Sequence, residues 1–300
     1  MQVCLNGSRT ARDGAAVPLT PDRAAGSAAE AVAAGATEVH VHPRTPCGRE
    51  SLSPRVVAAT VEAIRERAAV PVGVTTGAWT EPRPAARLAR VRDWTVLPDF
   101  ASVNWHEPGA EELAAALLDR GVGVEAGLWS GTDGPARFAA SPLAPRVLRV
   151  LAEVTDPAVA RACRHIPVVR PEGGPRGVRC VLSACRALAR VLDVLGSGPG
   201  AARVRAWRRG AGGNVTTGPS AEASARALLA AVGDAHGRPV LLHGEEASTW
   251  PVLTLAARLG LPTRIGLEDT LHLPDGEPAA SNAQLVTEAL RLVHRQDGGP

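Results

Sequence analysis

Eight short apolar stretches, nearly all separated by a helical pattern, constrain the fold of this 300-residue chain more than any other feature. They cover residues 3–5, the stretch from 37 that holds His40 and His42, 71–77, 100–104, 122–127, 146–154, 239–243 and 263–267. Repeated strand–helix units at this length indicate a parallel sheet, and eight of them close most simply into a (β/α)8 TIM barrel. A second regularity supports closure. Asn6, His40, His42, Thr75, Thr76, Asn104, Glu125, Glu153, His243 and Glu268 fall at or near the ends of their strands, where such barrels place reactive groups. The alternative is an open doubly wound sheet. Against it, no Gly-x-Gly-x-x-Gly follows the first strand and no Walker sequence occurs.

The helical patterns carry their own start and stop signals. Thr20-Pro21-Asp22 supplies an N-cap and a proline at the first helical position, and Ala34-Gly35 a stop. Further helices are expected over 51–66, 83–91, 109–120, 221–232 with Ser220 as cap, 250–259 and 281–293. The gap between the fifth and sixth strands is left without one.

One region breaks the rhythm, between the sixth and seventh strands. Residues 161–219 hold eleven Arg against Glu172 and Asp193, a net +9 in a chain of +3, so everything else carries −6. This Arg/Gly/Pro-rich insert is expected to be partly helical, through Val181, Leu182, Cys185, Leu188, Ala189, Leu192 and Leu195, and otherwise loop or disorder. The whole chain then reads as one barrel domain over 1–300, with the insert hung on it. All 33 basic residues are Arg, a bias from which no chemistry follows. Cys4, Cys47, Cys163, Cys180 and Cys185 are scattered without a Cys-x-x-Cys pair, which argues against a disulfide framework and a zinc ribbon. The first residues lack the apolar core of a signal peptide and no apolar run reaches about 18 residues, so a cytoplasmic setting and no membrane partner are expected.

Side chains two apart on a strand share a face, so His40 and His42 point together while Val39 and Val41 point away. Two imidazoles a few ångströms apart suit a divalent metal, although a His-x-His pair is also just two polar residues at a strand end. A catalytic metal site commonly has three protein ligands. Glu268, Glu125 and Glu153 compete for the third place. Arg264 shares the strand parity of Glu268 and faces inward beside Asp269. Either that pair keeps a carboxylate ionised for use as a base, or it is a structural ion pair under the rim. Thr75, Thr76 and Gly77 offer hydroxyls and backbone N–H groups suited to a substrate carboxylate, or they merely form a turn.

The segments LNGS, VPLTP, GATEVHVHPRTPCGRESL, VGVTTG and RIGLEDTLHLPDGEPAASNAQLV together resemble the β-keto acid cleavage enzymes, over about 1–160 and 220–295. The resemblance implies a TIM barrel with zinc held by His40, His42 and Glu268, with Arg264 and Asp269 activating the substrate and Thr75 gripping it. It implies a β-keto acid and acetyl-CoA as small-molecule partners, acetoacetate and a new acyl-CoA as products, and a homo-oligomer, dimer or tetramer. Zinc chelating the keto acid makes its C2 acidic, and Asp269 is the expected base. Two departures stand out. The fourth strand ends ASVNWHEPG, so Asn104, or else His106 or Glu107, replaces a threonine, and only Asp13 stands where the first loop often has a glutamate. Two other readings remain: a metal-dependent aldolase or lyase without CoA, and a non-catalytic barrel whose insert, with Trp207 to stack on a base, binds nucleic acid.

Overall fold

The computed structural model describes residues 1–155 and 220–297; the basic insert 161–219 and the helix read within it lie outside the described residues. Eight strands form one parallel sheet: β1 (Gln2–Cys4), β2 (Glu38–Val41), β3 (Val72–Thr75), β4 (Phe100–Asn104), β5 (Gly123–Trp129), β6 (Arg149–Val154), β7 (Val240–Gly244) and β8 (Arg264–Ile265). Each strand pairs with its successor from β1 to β7, and β8 pairs with β1. Consecutive pairing joined by that last step is what ring closure requires and what a doubly wound sheet lacks. At the β7–β8 seam the Leu242 N–H donates to the Pro262 carbonyl at 2.9 Å, so the TIM barrel is nearly closed.

Among the described residues the α-helices are α1 (Pro21–Ala33), α2 (Pro54–Arg67), α3 (Pro84–Arg92), α4 (Ala110–Leu118), α5 (Gly134–Ala139), α6 (Ala221–Val232), α7 (Thr249–Arg258) and α8 (Asn282–Asp297). Prolines at the first position start α1, α2 and α3, where their fixed φ suits a helix and their missing N–H goes unneeded. Thr20 caps α1 by accepting from the Arg23 N–H at 3.3 Å, and Ser220 caps α6 by accepting from the Ala223 N–H at 3.2 Å.

Of the boundaries that differ from the sequence reading, two trace to a glycine. β5 runs on through Gly127, where a Cβ would stand 2.5 Å from Asn104 Oδ1; the residue marks a close strand approach, not a strand end. β8 stops at Ile265 because Gly266 lies against β1, where a Cβ would come 1.9 Å from the Cys4 carbonyl oxygen. The helix missed between the fifth and sixth strands is α5. Its six residues are too short for a periodic stripe, and Phe138 anchors it edge-on to Trp105, ring centres 5.2 Å apart.

The extension of β5 corrects the placement of Glu125. Being the third of seven strand residues, it lies toward the N-terminal end of the barrel, fully buried, and accepts from Gln2 Nε2 at 2.9 Å and Arg149 Nε at 2.8 Å. Arg149 also bonds the Glu38 carboxylate. Gln2, Glu38 and Arg149 are each the first residue of their strands, so this polar plug closes the end of the barrel where the strands begin. Glu125 therefore cannot compete as a metal ligand.

Candidate active site

At the opposite end the strand tips converge on a cavity whose wall includes His40, His42, Thr75, Asn104, Arg264 and Glu268. Val39 and Val41 are fully buried in the packing around β2, which turns His40 the other way, and His42 follows just beyond the strand. The two rings lie 5.4 Å apart at 74°. Glu268, in the turn after β8, reaches both: His42 Nε2 stands 3.5 Å from its Oε1 and His40 Nε2 3.9 Å from its Oε2. One ligand atom from each of the three lies within 4.8 Å of the others. Two ligand atoms sharing a tetrahedral zinc stand roughly 3.4 Å apart, so the spacing needs little adjustment to hold one. Glu268 Oε2 and His40 Nδ1 are buried without a hydrogen-bond partner, a cost that a cation at the carboxylate would relieve. Neither Glu153 nor Glu125 belongs to this group; Glu153 stands on the cavity wall 3.3 Å from His243 Nε2.

Glu268 is held in place from below and behind. Gly7, at φ +49°, leaves room for it, since a Cβ there would lie 2.4 Å from Glu268 Cγ. Arg9 donates to the carbonyls of Leu267 and Glu268 at 3.0 and 3.1 Å and pairs with Glu246 at 2.8 Å, tying the loops after β1, β7 and β8 together.

Burial raises the cost of charge here, and the neighbours decide which groups keep it. Burial alone lowers His42, yet the adjacent carboxylates of Glu268 and Glu50 overcome it and lift the imidazole to about 9. His40 falls to about 4, because burial and the charge of His42 outweigh the pull of Glu268. Glu268 stays well below the usual carboxylate range: burial works against it, but His42 and Arg264 prevail.

Arg264 joins the remaining groups. Its Nη2 donates to Glu268 Oε1 at 3.1 Å and to Asp269 Oδ1 at 3.0 Å, while its Nε donates to His243 Nδ1 at 3.2 Å. Asp269 is completely buried beside Arg264 and Oδ2 has no hydrogen bond, so it backs the cavity and is not part of its wall.

The turn after β3 differs from expectation. The Thr76 hydroxyl donates to the Ser102 carbonyl at 2.6 Å, and the Gly77 N–H donates to Thr75 Oγ1 at 3.2 Å. The Ala78 N–H is taken by the Glu107 carboxylate at 2.9 Å, which Arg87 pairs at 2.8 Å. The Thr76 hydroxyl and the Gly77 N–H, expected to meet a substrate, thus have partners within the protein, and only Thr75 of that trio reaches the wall. Among the fourth-strand candidates only Asn104 does so, fixed by donating from Nδ2 to Glu107 at 3.0 Å. His106 packs on Trp129, centres 4.7 Å apart. Asp13 accepts from the Thr10 N–H and hydroxyl at 2.8 Å each within its own loop.

Sequence reasoning missed two residues at the site. Glu50 meets His42 Nδ1 at 2.9 Å, and Trp79, on the cavity wall, stacks on His42 at 5.9 Å and 17°. Glu50 gets there through an antiparallel bridge to Arg44 across a tight turn, which strand periodicity does not register. Trp79 stands two residues after Gly77 of the Thr75-Thr76-Gly77 turn, and that proximity was its only signal.

Among the described residues no helix is long and apolar enough to cross a membrane. Residues 1–126 and 206–299 match the profile of a family described as beta-keto acid cleavage enzyme. No curated protein matches the chain. Solved structures that share the fold include three of ObcA. A ternary complex of ObcA with a C4-CoA adduct and oxalate superposes with TM-score 0.58 at 17% identity, over 94% of this chain and 64% of that one. A binary complex of ObcA with oxaloacetate gives 0.54 at 17% identity, over 92% and 63%. The apo structure of ObcA gives 0.54 at 18%, over 92% and 61%, so this chain spans less than two thirds of the length of those it matches.

Proposed function

The chain belongs to the β-keto acid cleavage enzyme family, and from that premise we propose that it condenses a β-keto acid with acetyl-CoA to give acetoacetate and a new acyl-CoA, with zinc at His40, His42 and Glu268. The observation that carries this reading is the convergence of two imidazoles and one carboxylate within 4.8 Å at the catalytic end of the barrel, backed by the Arg264–Asp269 pair. Zinc, when bound there, would supply a Lewis acid that draws electron density from the keto and carboxylate oxygens and acidifies C2. Thr75 and Asn104, both on the wall, orient the keto acid. Asp269, held just behind the wall by Arg264 through Oδ1 at 3.0 Å, is the expected acceptor of the C2 proton, on Oδ2. The resulting carbanion attacks the acetyl carbonyl and releases CoA thiolate. That thiolate then adds to the original keto carbon, the C2–C3 bond breaks to leave the acyl-CoA and the acetoacetate enolate, and the proton held by Asp269 returns to C2 to give acetoacetate. ObcA, which shares the fold, has been captured with a C4-CoA adduct and with oxaloacetate, ligands of the same two chemical kinds.

The reading is tested on a panel of β-keto acids with and without acetyl-CoA. Formation of acyl-CoA only when both are present supports it; consumption of the keto acid without acetyl-CoA favours a lyase. His40→Ala and Glu268→Gln are each expected to lower zinc content and abolish turnover, since a three-ligand site that loses one ligand binds weakly. Asp269→Asn is expected to keep zinc but stop exchange of the C2 protons with solvent. If exchange continues, the base lies elsewhere, and Glu153 on the cavity wall is the next to test.

A further inference from the structure

We infer that Glu50 is the positioning residue of this centre: it fixes His42 in the tautomer that turns Nε2 toward the metal, and Trp79 holds Glu50 in place. The inference rests on the zinc site proposed above and goes beyond its three ligands. An imidazole coordinates through one nitrogen only when that nitrogen has a free lone pair, and the partner of the other nitrogen decides which one that is. His42 Nδ1 lies 2.9 Å from Glu50 Oε2, while His42 Nε2 faces Glu268 at 3.5 Å. With the Nδ1 proton committed to Glu50, the lone pair sits on Nε2, the side where Glu268 and His40 converge.

The carboxylate is itself anchored. Trp79 Nε1 donates to the same Oε2 at 2.6 Å, and the Trp79 indole lies nearly parallel to the His42 ring. One residue thus restrains His42 twice, by stacking on the ring and by locking the acceptor that orients it. The turn geometry delivers Glu50 to this point. Arg44 and Glu50 form an antiparallel bridge, the Thr45 N–H donates to the Arg49 carbonyl at 2.8 Å, and Gly48 turns the chain at φ +81°. An ion pair with Arg44 alone would be the plainer role. Arg44, however, donates to the Gly48 and Gly7 carbonyls, and its approach to Glu50 is the longer contact at 3.6 Å. His40 has no equivalent support: its Nδ1 is buried without a partner. The centre therefore has one ligand held by a carboxylate and one held only by packing.

Zinc affinity of the purified full chain, measured by competition with a chelating dye, tests this alongside the melting temperature of the metal-free proteins. Glu50→Ala is expected to weaken zinc binding by about 10- to 100-fold. Glu50→Gln keeps an acceptor oxygen and the side-chain volume, so it is expected to fold and to recover part of that loss. Trp79→Phe keeps the stack, removes the N–H, and is expected to weaken binding less than Glu50→Ala. Zinc affinity equal to that of the parent in the Ala and Gln variants, with only a lowered melting temperature, would make Glu50 structural and overturn the inference. Should Glu50→Ala not fold, parent affinity in Glu50→Gln together with Trp79→Phe overturns it alone. A parent protein that binds no zinc is a different outcome, and it refutes the metal site itself.

Discussion

The centre is set by a few residues whose costs pull in opposite directions. In the metal-free protein His42 holds its proton up to about 9, because Glu268 and Glu50 offset its burial. Zinc needs the Nε2 lone pair, so below that pH each zinc that binds must displace a proton, whereas His40, at about 4, is already neutral. Apparent zinc affinity is thus expected to climb with pH by up to about tenfold per unit and to level off near 9. Calorimetry at neutral pH in buffers of different ionisation enthalpy should show about one proton released per zinc, and none released would contradict the assignment. Gly7→Ala probes the same ligand sterically. A Cβ 2.4 Å from Glu268 Cγ forces the carboxylate away, and with φ at +49° the variant is expected to lose about 1–2 kcal/mol of stability and to bind zinc more weakly. Of these residues, His40, His42 and the Arg264–Glu268–Asp269 block were legible in the sequence because strand parity and strand ends are one-dimensional signals. The choice among Glu268, Glu125 and Glu153 was not, since it depends on where each strand stops, and a glycine inside β5 imitated a stop. Glu50 was illegible for a related reason: the bridge to Arg44 that delivers it is a turn contact with no period.

At the level of elements, the two ends of the barrel are fastened by polar networks as well as by apolar packing. Asn282 opens α8, fully buried, accepts from the Leu267 N–H at 2.8 Å, and donates to the Leu5 carbonyl and Ser27 Oγ at 3.0 Å each. It thereby ties the last helix to the residues following β1 and β8, and through Leu267 to the backbone beside Glu268. Asn282→Ala strips partners from buried backbone groups and is expected to cost about 2–4 kcal/mol, read as a lowered denaturation midpoint with an unchanged slope. At the opposite end, Arg149→Ala leaves Glu125 and Glu38 without their cation, and about 3–5 kcal/mol of destabilisation is expected because Glu125 is completely buried. Most elements were readable from proline starts, capping residues and apolar runs; α6 and β4 fall at the bounds the sequence suggested. The exceptions are physical. α5 is shorter than two helical turns, and β8 has two paired residues because Gly266 must press against β1.

Across the whole molecule, the order of the strands and the position of the cavity follow from one arrangement, a ring of parallel strands whose tips carry the polar groups. β6 ends at Val154 and α6 begins at Ala221, so the net +9 segment 161–219 lies between two elements of the barrel and within neither. A chain lacking 161–219 is expected to fold and to keep its zinc. If the Arg-rich segment concentrates CoA by screened attraction, its removal raises the KM for acetyl-CoA and flattens its salt dependence, with the KM for the keto acid nearly unchanged. Identical kinetics at low and high salt would mean that it plays no part in CoA binding. The central claim is carbon transfer between two substrates at the His40–His42–Glu268 centre, and following a label tests it most directly. With a reactive β-keto acid and acetyl-CoA labelled with carbon-13 in both acetyl carbons, NMR is expected to find the label in C3 and C4 of acetoacetate and none in the new acyl-CoA. Loss of the keto acid with the label remaining in acetyl-CoA would contradict the account.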